Sequence, residues 1–171
     1  MQLIVCDASS LIILAKTGLL PRFLSAWKGE VVVTPTVAKE AWGHPEYPDA
    51  VELARRAARG EVHIREIADR RACQQLKEDF ALGAGEAETI WLASRHAGAL
   101  VVTDDRLAIR ACRALQIAWT SSLAILLKMR EERLINGEMA QAFLQELRTQ
   151  GRYSHVLLEH ARKSLEGGAH E

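Results

Sequence analysis

Aromatic residues are scarce, 5% of the 171-residue chain, and no surface run of them offers successive nucleic-acid bases a stacking platform. Charge of one sign is also missing: 22 Lys and Arg stand against 22 Asp and Glu, for a formal net charge of zero. A protein that held a long polyanion by bulk electrostatics would carry a clear basic surplus, so sequence-blind binding to long duplexes is not expected. Long hydrophobic runs are absent. The most continuous one, Leu11 to Ala15, falls far short of the roughly 18 to 20 residues that cross a bilayer, so no membrane partner is expected. Asp7 follows directly on Leu3-Ile4-Val5-Cys6, with no basic segment leading into an apolar one, and a secretory signal is not expected. Three cysteines, Cys6, Cys73 and Cys112, are odd in number and far apart. That excludes a disulfide frame or a zinc knuckle and fits reduced thiols in a cytoplasmic setting. The six histidines are scattered, and His155 and His160 share no helical face, so a histidine metal site is not expected.

What is present is an ordinary globular composition, 49% apolar and 26% charged, in a chain long enough for one domain with a full core. Short β-rich runs alternate with helical patterns, the signature of an α/β domain with a mainly parallel sheet. The expected strands are Gln2 to Cys6, Glu30 to Val33, Val62 to Ile67, Ala99 to Thr103 and Gln116 to Trp119. Ser9 or Ser10 caps a helix through Lys16; Thr34-Pro35 opens one carrying Glu40; others span Pro48 to Arg59, Asp69 to Leu82, Glu86 to Ala97 and Asp104 to Leu115. A helical C-terminal third begins at Ser121 or Ser122, divided by Asn136-Gly137 and Gly151. One domain is expected over 1–165, with 166–171 as a tail.

Ligands of open α/β sheets bind outside the carboxyl ends of the strands. There the chain is acidic: Asp7 after the first strand, Glu40 on the helix after the second, Asp104 and Asp105 after the fourth. Asp7 and Asp104 have a plainer reading as helix caps. On the helix after Gly85, a wheel set at Glu86 puts Ala87, Ile90, Trp91, Ser94 and Ala97 between about 20° and 140° and Glu88 near 200°. Glu86 then borders the buried face and Glu88 is expected in solvent. Gathered carboxylates repel, by about 4 kcal/mol for two unit charges about 4 Å apart at an effective dielectric of 20. Either some are protonated or a hard divalent cation sits among them. An all-oxygen set points to Mg²⁺ or Mn²⁺, and hence to metal-assisted hydrolysis.

Four segments in order carry a resemblance: Asp7-Ala8-Ser9-Ser10-Leu11-Ile12, Val37 to Glu40, Gly85-Glu86-Ala87-Glu88-Thr89-Ile90, and Val102-Thr103-Asp104-Asp105-Arg106. The chain resembles the PIN-domain ribonucleases, in particular the VapC-like toxins and a related subfamily of uncharacterised predicted nucleic-acid-binding proteins. The likeness to that subfamily continues through Ser121-Ser122-Leu123 and Leu134-Ile135-Asn136-Gly137 to Gly151-Arg152. The resemblance implies a three-layer α/β/α sandwich with four to five mainly parallel strands and a helical C-terminal extension. It also implies an Mg²⁺- or Mn²⁺-dependent ribonuclease acting on single-stranded RNA, usually a homodimer, often blocked by a cognate antitoxin protein. Asp7, Glu40, Glu86 and Asp104 match the family's acidic quartet. The typical third acid is an Asp where this chain has Glu86. The typical Thr-x-Asp motif selects Asp105, whereas the subfamily's paired acids select Asp104, so both are candidate catalytic and metal residues.

The cations are 16 Arg to 6 Lys, and Arg is the better bidentate phosphate binder. Arg106, Arg110 and Arg113 form one stripe on the helix after Asp104, opposite a core face of Leu107, Ala108, Ala111 and Leu115. The stripe reads either as a solvated face or as an RNA track, with Ser9 and Thr103 as further RNA contacts beside the acids. Arg55, Arg56 and Arg59 form a weaker second stripe. The apolar set Leu11, Ile12, Leu14, Leu19, Leu20 and Phe23 is either core or in part a dimer or antitoxin surface. A dinucleotide-binding fold is excluded, because Gly83 to Gly85 follows a helix and lacks the third glycine. An aspartyl-nucleophile phosphatase would need an acid where Ser9 stands, and a receiver domain would need an acidic pair after the first strand and a late lysine. The rival that survives is a PIN-like module that binds RNA or a partner protein without cutting.

Overall fold

The computed structural model describes residues 2–149 and 152–167. Apolar side chains on both faces of short strands build a sheet that must be covered on both sides. In β1 (Gln2–Cys6), Ile4 and Cys6 enter one core and Leu3 and Val5 the other. β2 (Gly29–Val33) separates Val31 and Val33 from Val32 in the same way, and β4 (Leu100–Val102) separates Val102 from Val101. The short strands β3 (His63–Ile64) and β5 (Ala118–Thr120) close the edges. Every pairing is parallel, in the order β3-β2-β1-β4-β5.

One helical layer holds α1 (Ala8–Lys16), α2 (Leu20–Ala26), α3 (Pro35–Trp42), α4 (Pro48–Ala58), α8 (Ser122–Glu131), α9 (Gly137–Thr149) and α10 (His155–Gly167). The other holds α5 (Arg70–Phe80), α6 (Ala84–Ser94) and α7 (Arg106–Ala114). The result is the expected α/β/α sandwich, with the C-terminal helices built into its larger core. Among the described residues no helix is long and apolar enough to cross a membrane.

Several local expectations change. Asp7, not Ser9 or Ser10, caps α1. The helix α2, hidden in sequence behind Gly18, opens with Pro21 in its first turn. At the sheet edge, β3 keeps only His63 and Ile64 of the six residues expected, and β5 starts late because Gln116 turns left-handed at φ 57° after α7. α7 begins at Arg106 behind Asp105. On it Leu107 and Leu115 are exposed, and Ala108, Ala111 and Cys112 form the buried face. α6 is buried on more than one side, Thr89 and Leu92 included, because it is wedged between α5, α7, α3 and the sheet. Leu11, Leu14, Leu19, Leu20 and Phe23 are fully buried and present no free surface; only Ile12 is half-exposed. Of the expected tail, Glu166 and Gly167 continue α10. Gly151 and positions 168–171 lie outside the described residues.

Candidate active site

From β1 the chain winds to β2 and β3 on one side, then crosses back to β4 and β5 on the other. The crevice of such a sheet opens at the carboxyl ends of the two strands where the winding reverses, here β1 and β4. Cys6 is paired with Val102, so the residues that follow each strand stand at that crevice. They are Asp7 and Asp104, 4% and 6% exposed. The Asp7 N–H donates to the Val102 carbonyl at 3.0 Å, and Asp7 Oδ1 accepts the Ser10 N–H at 2.8 Å and the Ser9 hydroxyl at 3.1 Å. Asp104 Oδ1 accepts the N–H of Ser122 at 2.8 Å, at the start of α8, and the Tyr153 hydroxyl. Its other oxygen, Oδ2, is buried without a partner among the described residues. Asp105 does something different: its Oδ1 accepts from Leu107 and Ala108 at 2.8 and 2.9 Å, capping α7.

The other two acids arrive on helices that meet across the strand ends. Asp7, Ser9, Glu40, Gly85, Glu86 and Arg152 help to line one cleft of about 230 Å³. α3 brings Glu40 against the first turn of α6, and that approach requires Gly85: a Cβ there would lie 3.0 Å from Glu40 Oε2 and 3.3 Å from Val37 Cγ2. Gly85→Ala is therefore expected to push Glu40 outward and cost about 1 to 2 kcal/mol through the Val37 contact. Thermal unfolding checks the cost, and RNA cleavage checks the displaced carboxylate. Glu88 is not in free solvent. It is half-buried and accepts the Thr36 hydroxyl at 2.8 Å, tying α6 to the start of α3.

Burial above all pushes the Asp7 carboxyl up, against hydrogen bonds from Thr103 and Ser10, and the Asp104 charge adds to the rise. Glu40 is also raised, by partial desolvation and then by Glu86, Glu88 and Asp7. Negative charge in this cleft thus lacks compensation. Among the described residues no three His, Cys, Asp or Glu groups stand close enough to form a ready-made metal cage. The donor chemistry nevertheless fits a hard divalent cation: oxygen ligands only, an orphaned buried oxygen on Asp104, and a neighbouring Asp7 that resists ionisation without a counter-charge. Asp7, Glu40 and Glu86, which line the cleft, and Asp104, buried beside Asp7 and outside that lining, are the residues that would hold it.

The remaining candidates divide. Ser9 donates a hydrogen bond to Asp7, and Thr103 stands close enough to favour its charged form. Arg106, Arg110 and Arg113 are exposed on α7, outside the cleft lining, and the Arg113 guanidinium sits over the Trp119 ring at 5.3 Å. The cysteines are free and buried, and burial pushes the Cys73 and Cys112 thiols up to about 11. Sequence reasoning missed Arg152 and Tyr153. Arg152 Nη1 donates to Ser9 Oγ at 3.0 Å from 143 residues away in the chain, and Tyr153 reaches Asp104. No local pattern encodes such a contact; only the Gly151-Arg152 match marked the segment.

A doubly wound parallel sheet between helical layers thus carries buried acids at its switch point. A family model described as a PIN domain matches residues 3–166, and the chain belongs to the PIN-domain family. Searches of curated proteins and of solved structures gave no significant match.

Proposed function

We propose that the protein is a metal-dependent endoribonuclease that cleaves single-stranded RNA, with Mg²⁺ or Mn²⁺ held by Asp7, Glu40, Glu86 and Asp104. The observation that carries this reading is the pair of buried aspartates at the switch point, one with an oxygen that no group among the described residues satisfies. Family membership supports it, since PIN domains are generally nucleases and typically use divalent metals. When bound, the ion supplies an activated water and charge stabilisation at the phosphate. The chain's own residues do the rest. Ser9, Ser10 and Thr103 fix the Asp7 carboxylate, while Ser122 and Tyr153 hold one oxygen of Asp104 and leave the other as the atom that would ligate an ion. Asp105, occupied as a helix cap, is left out of the ligand set. The physiological setting proposed is cytoplasmic, as the homodimeric toxin of a toxin–antitoxin pair, on the sequence resemblance to VapC-like toxins.

One observation favours a second reading, a PIN module that binds RNA without cutting it: among the described residues the carboxylates do not converge into a cage. Incubation of a labelled single-stranded RNA with the protein separates the two. Cleavage with Mg²⁺ or Mn²⁺ that stops in EDTA is the expected result. Metal-independent binding without cleavage would establish the module instead. Growth arrest on expression, relieved by the product of an adjacent open reading frame, is the corresponding check on the toxin.

A further inference from the structure

Arg152 is the cation among the residues that line the acidic cleft. A guanidinium beside Asp7, Glu40 and Glu86 would ordinarily fold down onto a carboxylate, yet Arg152 forms no ion pair among the described residues. Among the described residues its one hydrogen bond, from Nη1, goes to the neutral hydroxyl of Ser9, and the rest of its planar fork of donors meets no protein acceptor there. The same hydroxyl donates to Asp7, so Ser9 holds the arginine at the cleft mouth within one hydrogen-bonded chain from the buried acid. The next residue pins the backbone independently: the Tyr153 hydroxyl donates to Asp104 and accepts the Leu123 N–H at 3.4 Å. Two neighbouring residues thus anchor this segment over both aspartates, with the charged fork exposed to solvent.

We propose that Arg152 is the phosphate-binding residue of this cleft, gripping the non-bridging oxygens of the RNA phosphodiester at the acidic site, with Ser9 as the residue that positions it. This rests on the ribonuclease reading and deepens it. The carboxylates repel a polyanion, and a forked donor at the mouth is the group that orients a phosphate bidentately. The α7 arginines lie outside the cleft lining and do not supply this contact.

The test compares wild type with Arg152→Ala and Arg152→Lys, all first shown to melt alike. With Mg²⁺ and a short single-stranded RNA, Arg152→Ala is expected to raise KM about tenfold with little change in kcat, as loss of one charge-assisted phosphate contact does. Arg152→Lys should recover part of it. In EDTA, where nothing is cleaved, the plot of log affinity against log salt for the same RNA should flatten by about 0.7 in Arg152→Ala. A merely structural arginine would move neither KM nor this slope. An unchanged KM and slope in Arg152→Ala would overturn the assignment while leaving the ribonuclease reading intact. Faster cleavage by Arg152→Ala would also overturn it, since the residue would then be an autoinhibitory plug. Absence of both cleavage and binding in wild type would take down the ribonuclease reading and the assignment together.

Discussion

Asp7→Asn is expected to cut RNA cleavage by orders of magnitude and, in the same protein, to raise the melting temperature measured in EDTA. Both effects follow from one side chain. The carboxylate is buried and raised, so the folded state carries an anion that burial and Asp104 both oppose. Asparagine keeps the oxygen that accepts the Ser10 N–H and caps α1, because Asn is as good a cap as Asp. What it removes is the charge. Cleavage should fall on the order of 10³-fold, equivalent to about 4 kcal/mol of transition-state stabilisation. Stability without metal should rise by about 1 to 2 kcal/mol, the usual yield when a site built for function is relaxed. For a chain of this size that is about 3 to 6 °C.

The pH dependence has a definite sign. A carboxyl raised in the fold above its ordinary value of 3.8 holds its proton to higher pH when folded than when unfolded. Its contribution to stability is therefore full below that ordinary value and is lost as pH climbs through the raised one. In EDTA, wild type should fall progressively behind Asp7→Asn as pH rises from about 4, and the two should converge in acid. Mg²⁺ reverses the order, since an ion that binds only the folded carboxylates stabilises wild type and not the variant. Equal melting of the two proteins at neutral pH without metal would show that Asp7 carries no such penalty.

How far the sequence could be read depended on how local each signal was. β1 was legible to the residue, because Leu3 to Cys6 is an apolar run with both faces buried and Asp7 marks its end. The parallel sheet followed from alternation of strand and helix. The edge strands were overextended: Val62 and Ile67 are apolar for the core's sake, while the ladder uses only His63 and Ile64. Glu86 borders the face that the wheel marked as buried and lines the cleft, but Glu88 was assigned to solvent since a wheel knows nothing of Thr36 on another helix. The same limit hid Arg152 and Tyr153, whose partners are distant in the chain. Choosing between Asp104 and Asp105 was beyond sequence for another reason. Two adjacent acids after a strand carry the same signal, and which one caps α7 depends on where its first turn begins.

That choice yields the second large effect. Asp104→Asn is expected to lose cleavage on the order of 10³-fold, whereas Asp105→Asn should cleave at close to the wild-type rate. At position 105 the cap needs an oxygen that accepts from Leu107 and Ala108, and asparagine supplies one. Asp105→Ala, which removes the oxygen, should cost about 1 kcal/mol of stability and leave cleavage by the folded protein unchanged. At position 104 one oxygen is committed to the Ser122 N–H and the Tyr153 hydroxyl, and the other is buried without a partner among the described residues. Asparagine can satisfy the first set only by placing its amide N–H₂ where the free oxygen stood, a donor in the position proposed for a cation's ligand. Mg²⁺ should accordingly raise the melting temperature of Asp105→Asn as it does that of wild type, and leave Asp104→Asn unmoved. If Asp105→Asn were the variant that lost both cleavage and the metal-dependent shift, the ligand would be the exposed-side acid, and α7 would have to open by a turn to deliver it.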